Sequence, residues 1–313
     1  MSASSPASGG RPVRHFEMPA SLAGRLRVRR FAIARRAVQL GVLLAFFGTL
    51  HWGWTVLGAP LLAGNLSAAK LAGILPLADP FAVLQMLLGR HALATEVLLG
   101  AALTLGAYAL LGGRVFCAWI CPMNVVTDAA FWLRGKLALG AGDDPVRLPS
   151  PTRYVILALV LVLSAASGLP AFEAFSPIAM LHRELLYGMG LGLTGALGVF
   201  LLDALVLRHG WCGSLCPLGA FWSIVGRTAQ VRVAFDDASC TRCGDCVKLC
   251  PEPRVLHFGQ AAAAGMIASG ECTNCGRCIA ICPESSLRFD LRARIRGAAK
   301  RSSAQESTPG GTT

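Results

Sequence analysis

Residues 240–251 read CTRCGDCVKLCP, and residues 272–283 repeat the same pattern as CTNCGRCIAICP. Each stretch orders its cysteines as C-x2-C-x2-C-x3-C and ends on a proline. This spacing is typical of thiolates that wrap around a [4Fe–4S] cluster, with the fourth cysteine of each run directed at the other cluster. Zinc sites more often use two CxxC pairs separated by a longer loop. The two runs therefore predict two iron–sulfur clusters.

The exchange of the fourth cysteine divides the eight residues between the two clusters. The predicted ligands are Cys240, Cys243, Cys246 and Cys282 for one cluster, and Cys272, Cys275, Cys278 and Cys250 for the other. We expect residues 231–291 to form a small α+β domain of the bacterial two-cluster ferredoxin type. Its chemistry is one-electron transfer, and since no CxxCH sequence occurs, no haem is expected.

The rest of the chain is strongly apolar. Of its 313 residues 54% are hydrophobic and only 15% are charged, and the mean hydropathy is +0.56. Soluble domains carry roughly 25% charged residues. All twelve cysteines fall into four short runs, which excludes a secreted disulfide scaffold. A soluble enzyme is excluded by the same composition.

Four apolar stretches are long enough to cross about 30 Å of hydrocarbon. A fifth apolar stretch, residues 71–89, contains Pro76, Asp79 and Pro80 and suits an interfacial or re-entrant segment better. The predicted fold is an α-helical polytopic membrane domain with four transmembrane helices over residues 37–230, followed by the ferredoxin-like domain. The predicted spans are 37–57, 94–113, 154–172 and 187–207.

The positive charges predict the orientation of these spans. Lysine and arginine number 8 in residues 1–36, 5 in the loop 114–153 and 13 from residue 208 onward, against 2 and 1 in the other two loops. Cytoplasmic loops carry the excess of such charges. We expect a multi-pass protein of the bacterial inner membrane with both termini in the cytoplasm.

The two ends of the chain share this positive charge. Residues 1–36 form a basic cytoplasmic arm whose first part is too polar to order itself, and residues 292–313 form a basic tail expected to be disordered. The net charge of +12 is assigned to anionic lipid and to topology, with no nucleic-acid partner.

An internal repeat organises the membrane domain. DPFAVLQ at 79–85 resembles SPIAMLH at 176–182 at an offset of 97, and the CxxxCP sequence at 117–122 matches that at 212–217 at an offset of 95. Asp79 and Ser176 are predicted to cap short helices that begin with proline, which needs no N–H partner. The alternative is that two amphipathic linkers converged on similar residues.

The two CxxxCP sequences supply Cys117, Cys121, Cys212 and Cys216. On a helix the sulfurs of residues i and i+4 share one face, and the following proline limits the helix. Four thiols at the inner membrane surface could ligate a further metal centre, form a redox disulfide or contact the ferredoxin domain. The alternative is structural packing at a helix end. Because the remaining cysteines are all in the ferredoxin runs, a redox or metal role is favoured.

Polar residues near the membrane suggest a quinol site. Oxidation of a quinol needs acceptors for two phenolic protons and an apolar slot for the ring. The candidates are Gln85 and His182 on the two short helices, together with His51 near the outer end of the first span. Ordinary interfacial polarity is the alternative reading of these residues.

The sequence resembles the NapH family, the polytopic ferredoxin-type subunits that accompany periplasmic nitrate reductase. The resemblance extends from Arg29 to Phe289. It rests on LADPFAVLQ (77–85), RVFCAWICPMNVVTDAAFWLR (114–134), RYVIL (153–157), HGWCGSLCPLGA (209–220) and CPEPRVL (250–256).

This resemblance implies a component of an inner-membrane quinol dehydrogenase. Such a subunit would pass electrons from quinol, with a periplasmic iron–sulfur partner of the NapG type, toward the cytochrome c and molybdenum subunits of the reductase. The same family includes MauN of methylamine utilisation, which is the alternative assignment.

Two other function classes compete with electron transfer. Accessory proteins that assemble or mature respiratory metalloenzymes share the spans, the CxxxCP sequences and two ferredoxin runs, but typically carry an extra C-terminal β domain. Here about twenty residues follow Phe289, which disfavours that class. A transporter has little support, since few charged residues lie in the spans.

Overall fold

The computed structural model describes residues 15–137, 148–149, 151–188 and 192–297. The chain forms two compact units. The first contains residues up to 33, residues 230–269 and the chain from 274 onward, and the second contains residues 34–229 and 270–273. The first helix, Leu22–His51, contributes to both.

The second unit is mainly helical, with small antiparallel sheets between its first two apolar helices. Its strands are Thr55–Val56 paired with Ala59–Pro60, and a sheet of Leu62–Gly64, Ala68–Leu71 and Leu75–Ala78. Its α-helices after the first are Pro80–Leu88, Thr95–Leu111, Val115–Trp119, Met123–Lys136, Thr152–Ser167, Ala171–Phe175, Pro177–Tyr187, Gly192–Leu201 and Pro217–Val225. Wider π-helical turns cover Leu202–Val206 and Trp211–Leu215, and Gly226–Thr228 is a 3-10 turn.

The first helix begins well before the predicted span 37–57. It runs for 30 residues from Leu22 to His51, so the basic arm is helical over the arginines from Arg25 to Arg36, while residues 1–14 lie outside the described residues. Arg35 and Arg36 both pair with the carboxylate of Asp128, which satisfies their charge within the unit. Among the described residues this is the one helix long and apolar enough to cross a membrane.

The other three predicted spans correspond to shorter apolar helices. These are Thr95–Leu111, Thr152–Ser167 and the continuous helical segment Gly192–Val206. Each is shorter than the roughly 20 residues that a perpendicular crossing needs. The four-span architecture therefore stays a prediction.

The two predicted helix caps are confirmed. Asp79 accepts a hydrogen bond from the N–H of Phe81 at 3.0 Å, and Ser176 accepts one from the N–H of Ala179 at 3.4 Å. Each helix begins with the expected proline at its first position. We call Pro80–Leu88 and Pro177–Tyr187 the capped helices.

The core of the second unit joins both halves of the repeat. Phe81 from the first capped helix, Met123 after the first CxxxCP sequence and Trp222 after the second are all almost fully buried in one cluster. Gly113 allows the close approach of these segments, because a Cβ there would lie 2.2 Å from the carbonyl oxygen of Trp222.

The first unit contains the first ferredoxin run and the second run from Asn274 onward. Strands Val231–Phe235 and Leu287–Leu291 pair antiparallel, with Val231 opposite Leu291. These two paired residues are the first and last residues of the predicted ferredoxin-like domain. Between them lie helices Asp245–Leu249, Phe258–Ala264 and Arg277–Ile281 and the 3-10 turn Pro253–Val255. In the predicted tail, residues 292–297 are helical and residues 298–313 lie outside the described part.

The cap at Asp79 generates a test with a defined pH dependence. Burial, with a further contribution from the charge of Glu173, raises the pKa of Asp79 to about 7. Because an unfolded aspartate titrates near 4, folding favours the protonated form, and the free energy of unfolding falls as the pH rises from about 4 to about 7. Asp79→Asn keeps an acceptor and removes this dependence. Asp79→Ala also removes it, and should be about 1 kcal/mol less stable than Asp79→Asn at every pH because the cap is lost.

Thermal unfolding in detergent between pH 5 and pH 8, followed by tryptophan fluorescence, measures both effects. An Asp79→Asn variant that loses as much stability as the wild type over this range would contradict the assignment.

Candidate metal centres and polar cavity

The two ferredoxin runs fold into the same local turn. The residues on either side of the second cysteine have positive φ in both runs: Arg242 and Gly244 at 54° and 82°, and Asn274 and Gly276 at 48° and 74°. Left-handed backbone at these two positions bends the chain back on itself. A short helix then begins directly after each glycine and carries the third cysteine. The sequence repeat is thus also a repeat of conformation.

Four of the eight cysteines surround a single cavity, which we call the ferredoxin cavity. Its empty volume, which is partly open to solvent, is about 400 Å3, and Phe235, Phe258 and Leu287 contribute to its lining. The predicted ligands of one cluster also line it: Cys240, Cys243, Cys246 and Cys282. The structure therefore brings together three cysteines of the first run with the last cysteine of the second. This is the exchange expected from the spacing.

The electrostatics of the ferredoxin cavity reflect four sulfurs at close quarters. The pKa of Cys246 is raised to about 11. Burial is the main cause, and repulsion from the neighbouring Cys243, Cys282 and Cys240 adds to it. The N–H of Arg242 points at the sulfur of Cys240 at 3.4 Å and opposes the effect of burial there. Such N–H groups are suited to stabilise negative charge on ligating thiolates.

The other four ferredoxin cysteines follow the same pattern along the chain. Cys275 is buried between the two positive-φ residues of its turn, and Cys278 lies in the helix Arg277–Ile281. Cys250 ends the helix Asp245–Leu249 in extended conformation, as Cys282 ends its counterpart. Cys272 opens the second run.

Asp245, which sequence reasoning did not select, anchors the start of the first cluster helix. Its carboxylate accepts a hydrogen bond from the N–H of Phe16 at 2.8 Å and pairs with Lys248 at 3.1 Å. These contacts, led by the Phe16 N–H, lower the pKa of Asp245 to about 2. No short-range sequence signal links residues 16 and 245.

The four CxxxCP cysteines line a second cavity, which we call the repeat-cysteine cavity. Its empty volume, which is partly open to solvent, is about 310 Å3, and its other lining residues are apolar or glycine apart from Arg114. The four sulfur-bearing residues are Cys117, Cys121, Cys212 and Cys216. The two halves of the repeat therefore meet where their cysteines lie.

The two CxxxCP segments share an unusual backbone turn. The N–H of Cys121 bonds to the carbonyl of Phe116 at 3.0 Å, and the N–H of Cys216 bonds to the carbonyl of Trp211 at 2.9 Å. Both are i to i+5 bonds, one residue wider than the regular α-helical turn assumed from the sequence. A proline follows each second cysteine, so the wide turn closes one helix and the next begins at once.

Arg114 links the two motifs from a position only 2% exposed. Its guanidinium donates to the carbonyl of Cys212 at 2.7 Å and to the carbonyl of Glu271 at 3.1 Å. Burial raises the pKa of Cys117, and the Arg114 guanidinium partly opposes this rise. Burial also raises the pKa of Cys216 to about 12.

A third cavity, which we call the polar cavity, lies against the second capped helix. Its empty volume, which is partly open to solvent, is about 710 Å3, and its lining combines apolar side chains with Asn65, Ser67, Glu173, His182 and Arg183. His182 is 1% exposed, its Nε2 atom has no hydrogen-bond partner among the described residues, and its ring packs edge-on against Phe46. Glu173 accepts a hydrogen bond from the hydroxyl of Ser67.

The structure separates the three quinol-site candidates. His182 lines the polar cavity, whereas Gln85 and His51 are not among its lining residues. The side-chain oxygen of Gln85 accepts from the N–H of Phe172 at 2.8 Å, and the ring of His51 bonds to the carbonyl of Leu186 at 2.8 Å. Both side chains are thus committed to the backbone.

Gln39 is a buried polar residue that the sequence reasoning missed. Its amide bonds to the carbonyl of Ala118 at 3.1 Å and to the side chain of Asn124 at 3.3 Å, and Arg36 donates to its oxygen. It therefore ties the first helix to the backbone around the first CxxxCP sequence. The available signal was an amide in an apolar run three residues after Arg36.

Comparison with family models confirms both repeats. A model described as "4Fe-4S binding domain" matches twice, at residues 93–139 and 189–233, so the two halves of the repeat are related to each other. A model described as "4Fe-4S dicluster domain" matches residues 232–283 and confirms the ferredoxin-type domain.

Curated relatives confirm the resemblance drawn from the sequence. The methylamine utilization ferredoxin-type protein MauN of Methylorubrum extorquens is 45% identical over 237 residues, which cover 74% of this chain and 79% of the relative. The ferredoxin-type protein NapH of Escherichia coli is 41% identical over 231 residues, covering 74% and 78%. MauN of Methylobacillus flagellatus is 42% identical over 229 residues, covering 73% and 78%. No solved structure matches the chain.

Proposed function

Because this chain belongs to the family of the ferredoxin-type proteins NapH and MauN, we propose that it passes electrons from a membrane quinol toward a periplasmic nitrate reductase. The protein is an iron–sulfur electron-transfer protein, as its family and its 4Fe-4S domains establish. The observation that carries the proposal is the pair of four-cysteine runs with its shared turn. Quinol, the acceptor and the partner subunits are the proposed part.

The cluster ligands follow from the ferredoxin cavity. One [4Fe–4S] cluster is held by the four cysteines that line it, Cys240, Cys243, Cys246 and Cys282. By the symmetry of the two runs the other is held by Cys272, Cys275, Cys278 and Cys250. When bound, each cluster accepts and releases one electron, so two clusters match the two electrons of one quinol.

Exposed apolar side chains support insertion of two of the three short helices in lipid. On Thr152–Ser167 the residues Val155, Leu159 and Val162 are each more than 60% exposed and lie on one helical face. On the helix Gly192–Leu201 the residues Leu193, Leu197 and Leu201 are also exposed and share one face. Contiguous exposed apolar surface is rare on soluble proteins.

Contacts inside the second unit agree with the orientation derived from charge. Arg36, from the arm placed in the cytoplasm, pairs with Asp128 in the loop placed on the same side. His51, at the other end of the first helix, bonds to Leu186 on the second capped helix, which is placed outside. Four spans with both termini in the cytoplasm of a bacterial inner membrane satisfy both contacts.

The polar cavity is the proposed quinol site. His182 offers an unpartnered Nε2 atom at a cavity lined by both apolar and polar side chains, and Glu173 supplies a carboxylate to the same lining. Burial, with the charge of Arg183, lowers the pKa of His182 to about 4, so at neutral pH the imidazole is unprotonated and able to accept a proton. His182 receives one phenolic proton and Glu173 the second.

A periplasmic iron–sulfur subunit of the NapG type and the cytochrome c subunits of the reductase are the proposed partners. They would act on the outer side, where the capped helices are placed. A MauN-type role in methylamine utilisation is the second candidate, because MauN of Methylorubrum extorquens is 45% identical to this chain.

The topology is tested with truncation fusions to alkaline phosphatase, which is active only outside the cytoplasm. We expect active fusions after Gly73 and Gly188 and inactive fusions after Lys136 and Thr313, because the chain crosses four times. Fluorescent-protein fusions at the same points should show the reverse pattern. If all four fusions report the same side, the first helix is the only span and the proposal fails.

The quinol site is tested by the rate at which a quinol analogue reduces the clusters in membranes that contain the partner subunits. His182→Phe should slow this reduction at least about 100-fold, since proton transfer by a positioned base contributes that much. Reduction by dithionite should be unchanged. His91→Phe, at an exposed histidine of the same unit, is the control and should reduce at the wild-type rate.

Wild-type kinetics in His182→Phe would remove the polar cavity from the proposal. Clusters that stay oxidised with quinol in the wild type, with partners present, would overturn the quinol function itself.

The two pathways are separated in membranes of cells grown with nitrate or with methylamine. Nitrate should reoxidise clusters that quinol has first reduced in the same membranes, and methylamine, an electron donor, should leave oxidised clusters oxidised. Reduction of oxidised clusters by methylamine, without reoxidation of reduced clusters by nitrate, would assign the chain to the MauN branch.

A further inference from the structure

The four cysteines of the repeat-cysteine cavity have no part in the proposed function. They are free thiols, two from each half of the repeat, and all four line one enclosed, mainly apolar cavity. Structural thiols at two helix ends would not need to converge. The convergence requires both CxxxCP segments, which lie 95 residues apart.

We propose that Cys117, Cys121, Cys212 and Cys216 bind a third [4Fe–4S] cluster at the interface of the two repeat halves. Each half supplies two thiolates, and the cavity between them takes the cluster core. The site lies wholly within the second unit and uses none of the eight ferredoxin cysteines.

Backbone N–H groups already point at the sulfurs in both halves. Those of Met123 and Asn124 are directed at Cys121, and those of Leu218 and Gly219 at Cys216. In each half the donors are the second and third residues after the cysteine, at the start of the helix that follows the proline. Hydrogen bonds of this kind stabilise cluster thiolates and adjust their reduction potential.

Charge complementarity points the same way. A [4Fe–4S] core with four thiolates carries about −2, and an anion of that charge needs cationic neighbours when it is buried. Arg114 lines the cavity and is held there by two backbone carbonyls. Arg153, almost fully buried and paired with Glu271 at 3.3 Å, acts on Cys117 from nearby.

The repeat-cysteine cavity resembles the ferredoxin cavity, because four thiols also line that space. The family model that matches both halves is described as a 4Fe-4S binding domain.

The test counts iron and acid-labile sulfide in the full chain, purified anaerobically in detergent. We expect about twelve of each per chain in the wild type, because each of three clusters holds four. The double variant Cys121→Ser/Cys216→Ser should contain about eight of each, with the ferredoxin clusters retained. Ser214→Ala, inside the second CxxxC loop, leaves all four thiols and should match the wild type.

Spin quantitation of the fully reduced wild type by electron paramagnetic resonance gives an independent count of three clusters. It decides the question even if the double variant fails to fold and loses all iron. A wild-type value of about eight iron atoms would overturn the proposal. So would zinc or copper without additional sulfide, a disulfide within the four cysteines, or equal iron in the wild type and a folded double variant.

Discussion

The buried guanidinium of Arg114 holds the two cysteine motifs in one place. It lies next to the first CxxxCP sequence and donates to the carbonyl of Cys212 in the second. Because an unpaired charge would be costly at this depth, both of its carbonyl contacts must form together. Its other acceptor is the carbonyl of Glu271, whose carboxylate binds Tyr154 and Arg153. The helices before and after the motifs are therefore positioned through one short set of polar contacts.

The internal repeat explains how so few polar contacts can position the helices around the two CxxxCP sequences. Each half contains a capped helix, an apolar helix and a CxxxCP turn, and the two wide turns have the same backbone hydrogen bond. Gln85 and His182 occupy equivalent positions in the capped helices but have diverged. Gln85 joins its helix to Phe172, while His182 keeps an unpartnered nitrogen against the polar cavity. One half thus supplies rigidity at the position where the other supplies a reactive group.

The features that sequence alone could predict are those encoded within a few residues. The cysteine spacing, the Asp-Pro and Ser-Pro caps and the repeat needed only short-range pattern. The i to i+5 turns could not be predicted from the sequence, since the Cys-x3-Cys spacing fits a regular helical turn equally well. The contact of Asp245 with Phe16 and the commitment of Gln85 to Phe172 join residues 229 and 87 positions apart. Such pairings depend on packing that no local pattern encodes.

The helix Pro177–Tyr187 connects the two cavities of the second unit, because it contributes residues to the lining of both. Ile178 lines the repeat-cysteine cavity, and His182, about one turn further along the same helix, lines the polar cavity. A helix rises about 1.5 Å per residue, so the two walls are separated by roughly 6 Å of axis. Since the helix is fixed at its start by the Ser176 cap, the two cavities keep a constant separation. The proposed proton acceptor His182 therefore lies on the helix that also contributes Ile178 to the lining of the repeat-cysteine cavity.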